Sequence, residues 1–142
     1  MTEFTHGKWR GQRPKDLRDL KSLGIKVIID LESGAYEGFH DDEYERQVPE
    51  DFDMIRFDIP CSDIFPPDRK KVIACLSLLS SDHPTYLHCL SGVDRTGFMV
   101  AAYRMNFQKW SFEDAHKEWL AMGRHWWFWW WRSELKKWQR NQ

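Results

Sequence analysis

The chain has 142 residues, 42% of them hydrophobic and 30% charged, with a formal net charge of −1. That length suits a single domain, 1–142, built on one core, and the near-neutral balance offers no basic field, so no nucleic-acid partner is expected. Three cysteines, Cys61, Cys75 and Cys89, are too few and odd in number for a disulfide scaffold, which fits a reducing, cytoplasmic setting.

The segment Met1 to Lys8 is polar and carries no apolar signal region. Leu17, Leu20 and Leu23 recur at helical spacing within 13–23, with Pro14 near the start and Gly24 just past the end. Lys26-Val-Ile-Ile-Asp30 is short and β-branched, as in a buried strand. Residues 32–53 read as a polar, acidic, solvated loop. A second strand is expected over Met54–Ile59. Pro66-Pro67 then opens a helix with Val72, Ile73, Leu76 and Leu79 on one face. Thr85 to Cys89 reads as a third strand, followed by a seven-residue turn and a helix from about Thr96 through Tyr103. Ser111 with Asp114 forms a capping pattern for another helix that ends near Gly123, and a last helix covers about 126–140. Strands alternating with helices imply an α/β domain with a mostly parallel central sheet flanked by helices. No run approaches the roughly 18 apolar residues of a membrane-spanning helix, so no transmembrane segment is expected.

The informative stretch is His88-Cys-Leu-Ser-Gly-Val-Asp-Arg95-Thr-Gly97. It sets a cysteine and an arginine at the two ends of a tight turn between a strand and a helix. In such a turn the backbone N–H groups of Leu90, Ser91, Gly92, Val93, Asp94 and Arg95 can curl inward as an anion nest. The helix N-terminus adds its positive end, Gly92 permits backbone angles that a side chain would penalise, and Arg95 can grip two phosphate oxygens as a fork. The same field favours a thiolate at Cys89, the form that attacks phosphorus. An isolated Cys and Arg six apart would read as a buried thiol and a helix-start cation; His88, Gly92, Thr96 and Gly97 turn the pattern toward a phosphate-binding loop, 88–96.

These residues resemble the signature of the protein tyrosine and dual-specificity phosphatase superfamily, and in particular its small atypical dual-specificity group of bacterial or phage type. The likeness covers nearly the whole chain: Trp9-Arg-Gly-Gln-Arg-Pro14 is similar to that group's opening strand and turn, Gly24 to Leu31 to its second strand, and Phe98 to Arg104 to the helix after the loop. Low-molecular-weight phosphatases carry a related loop near the N-terminus, so position 89 argues against them. The resemblance implies a single-domain cysteine-phosphatase fold and a two-step hydrolysis of a phosphomonoester through a phosphocysteine on Cys89, with no metal and no cofactor. It also implies that Thr96 hydrogen-bonds the Cys89 sulfur and that His88 orients the cysteine.

A general acid must protonate the leaving oxygen. Asp63, in Ile59-Pro-Cys-Ser-Asp-Ile-Phe-Pro-Pro67, occupies a context similar to the superfamily's movable acid loop. Asp94, inside the cradle, resembles the arrangement in myotubularins. Asp63 is the first choice, Asp94 the second, and Asp58 trails both. The cradle positions Leu90, Ser91, Val93 and Asp94 include no cation, and Asp94 would repel a polyphosphorylated substrate. Phosphotyrosine, phosphoserine or phosphothreonine in a protein is therefore the expected substrate, with lipid or inositol phosphates and an RNA 5′ phosphate as alternatives. A pseudophosphatase that only binds phosphate and a rhodanese-like sulfur-transfer domain are the competing classes. Cys61 is close enough in sequence to Asp63 to approach Cys89 as a redox partner, though a small core residue is the plainer reading. Trp126-Trp-Phe-Trp-Trp-Trp131 places six aromatics in succession. One helix face cannot bury them all: either about half pack on the domain with the rest in partial contact, or the tail forms an exposed aromatic surface that rims the cleft, makes a dimer or lies at a membrane interface.

Overall fold

The computed structural model describes residues 3–5, 8–10, 17–32, 50–62, 64–89, 94–123 and 129–141. In chain order these form β1 (Glu3–Thr5), β2 (Lys8–Arg10), α1 (Leu17–Ser22), β3 (Val27–Asp30), a 3-10 turn (Glu50–Phe52), β4 (Ile55–Asp58), α2 (Arg69–Leu79), β5 (Thr85–His88), α3 (Asp94–Phe107), α4 (Phe112–Ala121), α5 (Trp129–Lys136) and a terminal 3-10 turn (Lys137–Asn141). The strands make one sheet in the order β2-β1-β5-β3-β4. β3 pairs in parallel with β4 and with β5, so that Val27 lies opposite Ile55 and Thr85, and Asp30 opposite Asp58 and His88. β1 joins β5 antiparallel, and β2 joins β1 antiparallel. The three parallel strands form the α/β centre expected from the sequence; the hairpin β1–β2 extends it at the far edge. β1 is not foretold by the sequence, because three residues with the single apolar Phe4 are too few to show periodicity.

β3 and β5 are buried on both faces, which is why they read as near-continuous apolar runs. Alternation along them divides the interior. Val27, Ile29, Leu31, Leu87 and Cys89 join a large core with Val72 and Cys75 of α2, Phe98 and Met99 of α3, Trp119 of α4 and Trp131 and Leu135 of α5. Ile28 and Tyr86 point the other way, into a smaller cluster with Leu17 and Leu20 of α1.

The helices follow their signals with three differences. α1 buries Leu17 and Leu20, but Leu23 is exposed beyond its end, where Gly24 takes φ 77°. α2 begins after Asp68, whose carboxylate accepts from the Lys71 N–H at 3.0 Å; the two prolines precede the cap, Ile73 is exposed, and Cys75 fills the core in its place. α3 is longer than expected, and every residue from Arg95 to Ala102 is buried. A helix enclosed on all sides has no polar stripe to mark its length. It passes so close to α4 that a Cβ on Gly97 would lie 2.2 Å from Trp119 Cδ1. The Ser111 cap is present, its hydroxyl accepting from the Asp114 N–H at 3.0 Å, and Gly123 closes the end of α4 with φ 102°. Among the described residues no helix is long and apolar enough to cross a membrane.

Candidate active site

The three parallel strands end side by side, and the site residues are distributed around that edge. Cys89 directly follows β5, faces the large core and is buried. Asp94 opens α3 and is half-buried; Arg95 and Thr96 stand in its first turn, both buried. Leu90, Ser91, Gly92 and Val93, which connect the two, and Asp63 lie outside the described residues.

Arg95 is the hub of the described part. Its Nη1 donates to the carbonyl of Leu31 at 3.4 Å and to that of Cys61 at 3.3 Å. Leu31 follows β3 and Cys61 follows β4, so one guanidinium spans the ends of these two strands. A guanidinium carries five donors, and these two contacts use Nη1 alone. Cys61 is tied further by its own N–H to the Leu31 carbonyl at 3.1 Å and by its thiol to the Ile59 carbonyl at 3.3 Å. Burial pushes the Cys61 thiol up to about 11, with Lys71 and Arg95 opposing and Cys89 adding to the rise. It is therefore a neutral thiol at physiological pH, as a small core residue would be. Burial likewise raises Cys75. Thr96 Oγ1 is buried without a hydrogen-bond partner among the described residues, so the expected bond to the Cys89 sulfur is not formed.

Beneath Cys89, on the opposite face of the sheet, lies a polar network the sequence reading missed. His88 is buried, stacks on the Tyr86 ring at 5.0 Å, and places Nε2 3.9 Å from Asp30 Oδ1 and Nδ1 3.8 Å from Glu32 Oε1. Asp30 accepts from the Glu32 N–H at 2.8 Å and from Arg56 Nη2, and Arg56 Nε donates to Asp58 at 2.9 Å. Desolvation raises the Asp30 carboxyl to about 6; the Glu32 N–H and the Arg56 charge oppose that rise, while the Glu32 and Asp58 charges add to it. Asp30, Glu32 and His88 offer ligand atoms within 4.8 Å of one another, a set that could hold a metal ion, but Arg56 already supplies the positive charge at Asp30. The available signal was Asp30, a carboxylate that ends the apolar run Val27-Ile-Ile29. Asp58, the third acid candidate, has an exposed carboxylate engaged by Arg56.

The segment around Asp63 is fixed on both flanks. Ser62 Oγ accepts from the N–H groups of Ile64 and Phe65, each at 3.1 Å. The Ile64 carbonyl accepts from the indole N–H of Trp131 at 2.8 Å and of Trp130 at 3.3 Å. Of the aromatic tail, Trp131 is fully buried, Trp130 half-buried and Trp129 exposed, whereas Trp126, Trp127 and Phe128 lie outside the described residues.

A family model described as a DSP-PTPase phosphatase fused to NAD+ kinase matches residues 5–124. The chain belongs to this DSP-PTPase family. No curated protein matches it in sequence. Among solved structures, the family's fold recurs in Tk-PTP in its active form, with a TM-score of 0.66 at 16% identity over 92% of this chain and 90% of that one. It recurs in P. aeruginosa TpbA, with a TM-score of 0.61 at 22% identity over 82% and 71% of the two chains. A cysteine-to-serine variant of TpbA in complex with phosphotyrosine gives 0.60 at 21% identity, over 82% and 70%. The dual-specificity phosphatase fold supports a phosphatase function for the chain.

Proposed function

We propose that the chain hydrolyses phosphomonoesters through Cys89, with phosphotyrosine or phosphoserine/threonine in a protein as substrate, in a cytoplasmic setting. The observation that carries this reading is the buried Arg95 in the first turn of α3, bridging the ends of β3 and β4 beside the strand that delivers Cys89. In the first step the Cys89 thiolate attacks phosphorus, the P–O bond to the leaving group breaks, and the leaving oxygen takes a proton from Asp63, or from Asp94 as the second candidate. Arg95 and the loop N–H groups hold the equatorial oxygens as charge redistributes. In the second step water, giving a proton to the same aspartate, attacks the phosphocysteine, the P–S bond breaks, and phosphate leaves with a restored thiolate and a reprotonated acid. The Thr96 hydroxyl, lacking a partner among the described residues, is suited to donate to the departing sulfur.

A cradle that holds Asp94 and no lysine favours a monophosphate. The phosphotyrosine bound to the TpbA variant supports an aryl phosphate as one such group. The test is hydrolysis of a generic aryl phosphate by wild type and by Cys89→Ser, with and without vanadate. Vanadate-sensitive turnover lost in the variant is expected. Absence of turnover in the wild type, with phosphopeptide still bound, would reduce the chain to a binding module.

A further inference from the structure

We propose that the tryptophans of α5, Trp131 above all, are positioning residues for the general acid, acting through the backbone of Ile64. This rests on the reading of Asp63 as that acid. Asp63 is bounded on one side by Cys61 and Ser62 and on the other by Ile64. Cys61 is bonded to Arg95 through its carbonyl and to the Leu31 carbonyl through its N–H. Ser62 Oγ accepts from the N–H groups of Ile64 and Phe65.

The far flank is set by α5. Trp131 is 0% exposed and wedged against Phe98 of α3 at 6.1 Å and Trp119 of α4 at 6.3 Å. Its indole N–H has no water to turn to and donates to the Ile64 carbonyl at 2.8 Å. Trp130 adds a longer bond to the same oxygen. Downstream, the Arg69 guanidinium lies 5.5 Å above the Trp138 ring, so the tail also covers the start of α2. Ile64 and Phe65 themselves are exposed, 53% and 66%, and have little packing of their own to fix the segment. The core-anchored indole of Trp131, with Trp130 packed beside it, supplies the constraint that the exposed side chains do not. General acid transfer demands hydrogen-bond reach to the leaving oxygen, so a displacement of the loop by even 1 Å is costly.

The test uses the full chain and two substrates, phenyl phosphate, whose leaving group needs a proton, and dinitrophenyl phosphate, whose leaving group does not. Trp131→Phe keeps a ring in the core and removes the donor. Its loss of kcat/KM on phenyl phosphate should exceed its loss on dinitrophenyl phosphate by about 10-fold or more, a fraction of the 10²–10⁴ a general acid contributes. Asp63→Asn should show the same selectivity more strongly, and Trp131→Phe should add little in that background. Equal losses on both substrates, or full additivity with Asp63→Asn, would overturn the positioning role while leaving Asp63 as the acid. An Asp63→Asn variant without selectivity would instead remove the acid reading, and this proposal with it. Trp130→Phe, in a half-buried ring with the longer bond, carries the same test at smaller amplitude should Trp131→Phe not fold.

Discussion

Gly97 completes the Arg-Thr-Gly ending of the phosphate-loop signature, yet the structure gives it a packing role, and the two can be separated by Gly97→Ala. Helix propensity alone favours alanine by about 1 kcal/mol. Against that, the new Cβ would lie 2.2 Å from Trp119 Cδ1 and 2.3 Å from Nε1, more than 1 Å inside the roughly 3.5 Å at which carbon atoms touch comfortably. Trp119 cannot swing aside: it is buried, with Phe98 at 5.8 Å, Trp131 at 6.3 Å and His116 at 6.4 Å between ring centroids. Overpacking of this kind costs about 1–3 kcal/mol, and a rigid indole puts the cost near the upper end. The net loss is then about 2 kcal/mol, or roughly 6–10 °C in Tm for a domain of this size. Urea and thermal unfolding measure it directly. In a Trp119→Phe background, where the ring is smaller, the same substitution should cost at least ~1 kcal/mol less. A Gly97→Ala protein with unchanged or raised Tm would refute the argument, since propensity would have outweighed the clash.

Four further outcomes follow from the same structure. Asp30 is raised from 3.8 to about 6, chiefly by desolvation, so the folded state holds its proton longer than the unfolded chain. That contribution to stability is full below about pH 4 and lost as pH rises through about 6, on the order of 2–3 kcal/mol; Asp30→Asn should flatten urea-unfolding free energies across that window, and an unchanged slope would assign it to other groups. Arg56→Met leaves Asp30 buried beside Glu32 without its cation and should destabilise by about 3–5 kcal/mol at pH 7, read by chemical denaturation. Arg95→Lys replaces the guanidinium, whose Nη1 donates to both Leu31 and Cys61, by a point charge with no fork for two phosphate oxygens, and should lower kcat/KM on an aryl phosphate by about 10²-fold or more. Ser111→Ala removes the cap of α4 and should cost about 1 kcal/mol in thermal unfolding without altering kcat.

What the sequence makes legible is the part governed by local rules. Cys89 and Arg95 fall where a strand ends and a helix begins, and that boundary follows from Thr85-Tyr-Leu-His88 and from the cradle residues themselves. The Ser111 cap is a short-range hydrogen bond marked by the Ser-x-x-Asp spacing. What escapes it depends on tertiary neighbours. Nothing near Arg56 in the chain announces a bond to Asp30, 26 residues away. Nothing near Trp131 announces a bond to Ile64, 67 residues away. The length of α3 escapes as well, because burial on every side erases the amphipathic stripe by which a surface helix is recognised.

The strand register has a chemical consequence that the signature alone does not express. Successive residues of β5 and its extension point to opposite faces, so His88 enters the carboxylate network with Asp30 and Glu32 while Cys89 enters the large core on the Arg95 side. The parallel pairing of β3 with β5 sets Asp30 opposite His88 and so fixes which face receives the carboxylates. A slip of one residue would exchange the two sets. The cysteine would then face Asp30 and Glu32, whose negative charge opposes a thiolate, and the imidazole would be driven into the apolar core. The sheet therefore does more than deliver the loop. By putting Asp30, Glu32 and His88 on one face and Arg95 on the other, it sets Cys89, the proposed nucleophile, on the side of the Arg95 guanidinium.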